Sequence, residues 1–324
     1  MADYGSELVG KDPKIETLRQ LARRVARSAA RTVLIYGETG TGKGLLARMI
    51  HQNSRRADKP FLDINCAAIP EGLMESEFFG HEKGSFTGAS ERKIGLVEAA
   101  NHGSVFLDEI REMDPHLQAK LLSLLDTHQF RRVGAVKATH IDVRFIAATN
   151  KVLLSEVMAG NFREDLYYRL QVVALNLPAL RDRGDDVLIL AQHFIERFNT
   201  AFGRTIRGLA PETAEIMRKY PWPGNVRELE NLLERIFILE DEDIVLPRHM
   251  PDRILRTVRS GAREIPPAGQ MQLADQGFHE ATAEFQRGLL ERALAQAGGN
   301  QQQAASLLKL TRHALRHQIQ KLGL

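Results

Sequence analysis

The first half of the chain alternates short apolar runs with segments whose apolar residues recur at helical spacing. Val33-Leu-Ile-Tyr36, Phe61-Leu-Asp-Ile64, Val105-Phe-Leu107, Val143-Arg-Phe-Ile-Ala-Ala148 and Val172-Val-Ala-Leu175 read as strands. Strands alternating with helices predict an α/β fold with a parallel sheet covered by helices. From about Pro178 to Met250 the pattern is wholly helical, with Pro221-Trp-Pro-Gly224 marking a sharp turn. Asn225 followed by Glu228 reads as the N-cap arrangement of a helix over Val226 to Leu239. Between Leu255 and Phe278, Gly261, Pro266, Pro267, Gly269 and Gly277 interrupt weak periodicity, which predicts a linker. Three helical patterns follow, carrying Phe285, Leu289 and Leu294, then Ala304 and Leu307, then Leu315, Ile319 and Leu322. The expected organisation is an α/β unit over 1–175, a helical unit over 176–252, a linker over 253–280 and an all-α unit over 281–324.

Polar clusters follow four of the strands: Glu38 to Lys43, Asn65, Asp108-Glu109 and Thr149-Asn150. Ligands of open α/β sheets lie outside the carboxyl ends of the strands, so the four clusters are expected to line one crevice. Gly37-Glu38-Thr39-Gly40-Thr41-Gly42-Lys43 stands between a strand and a helical run, with the spacing of a phosphate-binding loop. Glycines let backbone N–H groups wrap phosphates, the helix N-terminus adds partial positive charge, and Lys43 would reach the β- and γ-phosphates. The strict pattern has Ser or Thr after the lysine; here it is Gly44. Two carboxylates ending an apolar strand are costly unless they meet a cation or water. Asp108 is therefore the expected Mg²⁺ ligand, and Glu109 the group that polarises an attacking water.

Composition excludes several classes. Apolar residues make up 43% and charged residues 26% of the 324, a globular balance that rules out global disorder. No stretch has the roughly 18 apolar residues of a membrane span. The start lacks the basic and apolar regions of a signal peptide, and the lone Cys66 suits a reducing compartment, so a cytoplasmic location is expected. Cys66 has no base at motif spacing and is expected to be a small buried hydrophobe. The net charge of +3 is uneven: from Pro251 on, ten Lys/Arg stand against six Asp/Glu. Thr311 reads as the cap of a last helix bearing Arg312, His313, Arg316, His317 and Lys321 opposite its apolar stripe. That arrangement suits a helix in the major groove, although a small helical dimerisation module has the same pattern. His313 and His317 have no further ligands at metal spacing.

Taken together, the loop, the paired carboxylates and the strand-end polar residues resemble an AAA+ ATPase. Phe79-Gly-His-Glu-Lys-Gly84-Ser85-Phe86-Thr87-Gly88-Ala89 resembles the GAFTGA loop of the sigma-54-dependent transcription activators (bacterial enhancer-binding proteins), with Ser85 at the usual alanine. Phe61 to Cys66, Phe162 to Leu170 and Trp222 to Leu229 are similar to other stretches of that family, and the tail resembles its Fis-type helix-turn-helix. The resemblance spans about residues 6 to 250 plus the tail. It implies ATP and Mg²⁺ as cofactors, with Gly37 to Gly44 as Walker A and Asp108-Glu109 as Walker B. It further implies Asn65 as a switch on Glu109, Thr149-Asn150 as first sensor, Arg227 as second sensor, and Val9-Gly10 at the adenine pocket. Arg163 and Arg169 match arginines that reach the next subunit's nucleotide in a homo-oligomeric ring, expected to be hexameric. Gly84 to Ala89 would touch sigma-54 within the RNA polymerase holoenzyme, and the tail would bind upstream enhancer DNA.

The family usually has Glu where this chain has Gly44. The ATPase motifs also begin almost at once, as in members restrained by a separate regulatory protein, although a fragment of a longer activator would look the same. The competing function is an AAA+-fold DNA-binding regulator that acts without sigma-54. An intact Gly84–Ala89 loop and the Asp108-Glu109 pair weigh against it.

Overall fold

The computed structural model describes residues 8–259 and the single position Gln303. The helices expected in the tail, including Thr311 to Lys321, lie outside the described residues.

Five parallel strands form the central sheet: β1 (Thr32–Tyr36), β2 (Phe61–Asn65), β3 (Ser104–Asp108), β4 (Arg144–Thr149) and β5 (Ala174–Asn176), in the spatial order β2-β3-β4-β1-β5. The central strands are apolar on both faces because helices cover both. Every residue of β4 is buried, as are Thr32 to Ile35 of β1 and Ser104 to Leu107 of β3. Side-chain alternation divides them between two cores. Leu34, Val105, Leu107, Phe145 and Ala147 face one; Val33, Ile35, Phe106, Ile146 and Ala148 face the other. Register pairs Asn65 with Asp108 and Tyr36 with Thr149, so these strand ends share one edge.

Local chemistry starts the covering helices. α1 (Pro13–Arg27) opens with Asp12 accepting the Lys14 N–H at 2.8 Å and Pro13 in its first turn, and ends with Arg24 and Arg27 beside its carbonyls. α2 (Lys43–Gln52) begins directly on the glycine loop. Later come α3 (Glu71–Phe79), α4 (Pro115–Thr127), capped by Asp114, and α5 (Glu164–Leu170). The lid consists of α6 (Asp186–Phe202), α7 (Pro211–Lys219), α8 (Asn225–Leu239) and α9 (Asp252–Arg259) around a third core centred on Trp222.

Three readings need correction. The last strand covers Ala174–Asn176 rather than Val172 to Leu175. It is an edge strand paired only with β1, and Val172 is left 62% exposed. The stretch expected to be linker begins with α9, whose Ile254 is buried in the lid core. Asn225 does not cap α8. It is the first helical residue, buried, with a left-handed φ of +52°, and Glu228 instead accepts the Gly224 N–H at 2.8 Å.

Trp222 is the chain's sole tryptophan, 1% exposed, and its Nε1–H donates to Met217 O at 2.8 Å. Trp222→Ala should lower stability by about 3–5 kcal/mol. Chemical denaturation followed by far-UV circular dichroism checks this, and an unchanged midpoint would contradict the packing described.

Candidate nucleotide-binding site

Between β1 and α2 the chain turns through Gly37 to Gly42. Gly40 and Gly42 have φ of +79° and +105°, in the left-handed region where glycine is tolerated best. Lys43 is 6% exposed, and its Nζ folds back over the loop to donate to Gly37 O at 3.0 Å and Glu38 O at 3.4 Å. Thr41 Oγ1 closes the turn on Glu38 O at 2.7 Å. A Cβ built at Gly44 would meet only Phe106, at 3.6 Å, so packing does not force glycine there.

β3 ends at Asp108, and Glu109 then turns with a left-handed φ of +52°. This conformation, uncommon for a residue with a Cβ, carries the Glu109 carboxylate to 3.6 Å from Lys43 Nζ. Glu109 Oε2 is buried and accepts no hydrogen bond among the described residues. Among the described residues, Asp108 Oδ1 accepts only the neighbouring Glu109 N–H, at 3.1 Å. Asn65 sits beside Asp108 in register, its Oδ1 held by the Ala67 N–H at 3.0 Å. Thr149 is buried and its carbonyl accepts Gly37 N–H at 3.2 Å, while Asn150 Nδ2 donates to Thr39 Oγ1 at 3.2 Å. The four strand-end clusters thus meet in one place.

The lid closes on the same loop. Arg227 N–H donates to Gly40 O at 3.2 Å, while the Arg227 side chain is exposed and makes no hydrogen bond or ion pair among the described residues. Val9 packs on the lid core, and Gly10 leaves room for Asp186, whose Oδ1 accepts Lys11 N–H at 2.6 Å and Asp12 N–H at 3.1 Å. Two lid groups at this joint, Arg183 and Arg181, were not singled out from sequence, and Asn225 was read only as a helix cap. Arg183 is 2% exposed and donates to Thr41 O at 3.0 Å; burial pushes its guanidinium down to about 10. Arg181 makes a bidentate pair with Glu38 at 2.9 and 2.5 Å, which holds that carboxyl below its ordinary range. Asn225 Nδ2 donates to Thr39 O at 3.0 Å and Glu38 at 3.2 Å. The run Arg181-Asp-Arg-Gly-Asp-Asp186 carries no local signal, and only the fold reveals its inward partners.

Other expected site residues stand apart. Arg163 pairs with Asp165 at 2.7 Å and Arg169 with Asp126 at 3.0 Å, both partly exposed and neither touching the glycine loop. Gly84 to Ala89 forms a surface turn closed by Gly84 N–H to Ala89 O at 2.8 Å. Ala89 is buried, whereas Phe86 is 40% exposed with its ring edge-on to His81 at 5.0 Å. Among the described residues, Glu240, Glu242 and His249 have the spacing of metal ligands. His249 Nδ1 accepts Leu246 N–H at 3.1 Å, so the ring proton of the neutral imidazole sits on Nε2, toward Glu242 at 3.4 Å. His249 Nε2 makes no hydrogen bond among the described residues and stands 4.0 Å from Glu240.

A glycine loop under a helical lid, facing paired carboxylates on a parallel sheet, defines an AAA+-type P-loop protein. Residues 8–176 match the sigma-54 interaction domain, 181–265 the AAA+ ATPase lid domain, and 281–322 the bacterial regulatory protein, Fis family. The regulatory protein AtoC of Escherichia coli (strain K12) is 43% identical over 322 residues, covering 99% of this chain and 68% of AtoC. The transcriptional regulatory protein ZraR of the same strain is 42% identical over 308 residues, 95% of this chain and 67% of ZraR. A crystal structure of NtrX from Brucella abortus in complex with ATP superposes with a TM-score of 0.71 at 34% identity, covering 98% of this chain and 69% of NtrX. The chain belongs to the sigma-54-dependent transcription activators, with a Fis-type helix-turn-helix segment at its end.

Cys66 is 2% exposed, and burial, reinforced by Asp108, pushes its thiol up to about 12. A raised thiol pKa means less thiolate at a given pH, on the order of 10⁻⁴ of the population at pH 8. An aromatic disulfide reagent at pH 8 should leave Cys66 unmodified in the native protein and titrate it fully in denaturant. Rapid native labelling would contradict this burial.

Proposed function

We infer that this activator binds and hydrolyses ATP with Mg²⁺ and uses the cycle to remodel sigma-54 RNA polymerase at a closed promoter. One observation carries the reading: Lys43, Asp108, Glu109, Thr149 and Asn150 converge on one glycine loop. The NtrX complex supports ATP as the nucleotide. Buried, unpartnered Glu109 Oε2 and Asn150 Oδ1 are acceptors for which a hydrated ligand offers donors, so the residues fit the group.

In this reading Gly37 to Gly44 and Lys43 hold the phosphates, Asp108 the Mg²⁺, Asn65 the pose of Glu109, Val9-Gly10 the adenine, and Arg227 the phosphates from the lid. When bound, the nucleotide and its metal supply the phosphoanhydride bond and the charge neutralisation for its cleavage. Glu109 orients water and takes its proton, its left-handed backbone aiming the carboxylate at the loop. Asn150 stands at the loop through Thr39, within reach of the same phosphates. Exposed Arg163 and Arg169, remote from their own loop, serve the neighbouring protomer's site in a head-to-tail hexameric ring; a guanidinium supplied in trans is worth roughly 10³–10⁵ in rate.

The Gly84–Ala89 turn carries the output. Exposed Phe86 and Thr87 between two glycines would contact sigma-54. The segment from Thr311 to Lys321, expected from sequence as a recognition helix, would read upstream DNA. We assign the α/β unit to about residue 175, the lid through α9 and the segment after about residue 280 to these roles. No helix among the described residues is long and apolar enough to cross a membrane, and transcription regulation is consistent with the cytoplasm.

Two substitutions separate energy source from output. Glu109→Gln should keep ATP binding while turnover falls at least ~100-fold; hydrolysis at near wild-type rate would remove Glu109 from its role. Thr87→Ala, a surface change worth within about 0.5 kcal/mol of stability, should leave hydrolysis, assembly and DNA binding intact. It should abolish promoter opening with sigma-54 holoenzyme and ATP in a purified transcription assay. Wild-type opening by Thr87→Ala would favour a regulator that acts without this contact.

A further inference from the structure

We propose that Asn225 is a positioning residue through which the lid shapes the phosphate loop, with Glu38 as its counterpart on the loop. The proposal rests on the nucleotide reading above.

Asn225 contributes nothing as a helix cap, since Glu228 serves the Gly224 N–H at 2.8 Å. It is nevertheless fully buried at 0% exposure and held at φ +52°, a conformation Asn tolerates better than most residues with a Cβ. Its amide is used from both ends. Oδ1 accepts the Leu180 N–H at 2.8 Å, where the chain enters the lid. Nδ2 donates to Thr39 O at 3.0 Å and to Glu38 Oε2 at 3.2 Å. Asp would lack the donors and Leu would lack both functions, so the site requires an amide.

Neighbouring contacts reinforce the same joint. Arg181 grips both oxygens of Glu38 and shares Oε2 with Asn225, Arg183 donates to Thr41 O at 3.0 Å, and Arg227 N–H donates to Gly40 O at 3.2 Å. Gly40 is confined by the lid as well: a Cβ there would strike Gly224 O. The inner side of the loop is held by Lys43, as described above. Its outer arc, Glu38 to Thr41, takes its shape from residues 181–183 and 224–227. Asn225 is the one side chain among these that bridges loop, lid helix and lid entry.

The test is nucleotide affinity, read by fluorescence titration with mant-ADP and Mg²⁺, alongside kcat and KM for ATP. Asn225→Asp keeps shape and the Leu180 contact but sets a carboxylate oxygen against Thr39 O and Glu38. Affinity should fall about tenfold, as expected when buried donors become like-charged acceptors. KM for ATP should rise with it, and the melting temperature without nucleotide should fall as well, because the same buried contacts exist without ligand. Adding Glu38→Gln removes the repulsion and returns a donor, so the double variant should regain about threefold over Asn225→Asp, a coupling typical of groups in contact. A purely structural role predicts that the second change adds to the damage. Arg181→Gln, at a half-exposed position safe for folding, should weaken affinity about threefold by releasing the carboxylate that Asn225 also holds.

The proposal is overturned if folded Asn225→Asp binds mant-ADP like wild type, or if the double variant binds no better than the single one. Should Asn225→Asp fail to fold, unchanged affinity in Arg181→Gln overturns it and weakened affinity supports it. A wild-type chain that does not bind mant-ADP overturns the nucleotide reading itself, and this proposal with it.

Discussion

All the polar groups of the site stand on one edge because five parallel strands are sealed by helices on both faces. A parallel sheet sends every carboxyl end the same way, and a buried strand can release its polar residues only where it emerges. β1 emerges into the glycine loop, β3 into Asp108-Glu109, and β4 into Thr149-Asn150. Register then fixes which of them are neighbours, with Asn65 beside Asp108 and Tyr36 beside Thr149. Packing of the two cores, rather than hydrogen bonds among the site residues, brings Glu109 to 3.6 Å from Lys43. The site depends on the sheet. A slip of one residue between β3 and β4 would exchange Leu107 with Phe106 between the cores and pull the carboxylates away from the loop.

Much of this was legible in one dimension. The glycine loop, the acid pair after an apolar strand and the four strand-end clusters are local signals, and the sheet follows from their alternation with helical segments. Errors arose where a tertiary partner outranked a local rule. Asn225 three residues before Glu228 satisfies the capping pattern, but its amide partner Glu38 is 187 positions away, and nothing local reveals it. Arg183, among Asp182, Gly184, Asp185 and Asp186, carries no local signal and is not singled out from sequence; its guanidinium is buried against Thr41 O. Val172 and Val173 look like strand interior, although the edge strand pairs from Ala174 onward. The expected linker over 253–280 begins inside a short helix, which the buried Ile254 anchors in the lid core.

The joint between lid and loop also bears on motion. Arg183, Asn225 and the Arg227 N–H all bond residues 39–41, whereas the crossing from the sheet between Leu177 and Leu180 is a short connecting segment. A lid that turned about that crossing would have to break these bonds or drag the arc of the loop with it. The cheaper course is to move together, as a lever whose short arm is the phosphate grip and whose long arm is the helical bundle around Trp222. On such a lever, a small displacement at the phosphates becomes a larger sweep at the far end of the lid. Conversely, force applied to the lid would be felt as a tightening or loosening of the glycine loop.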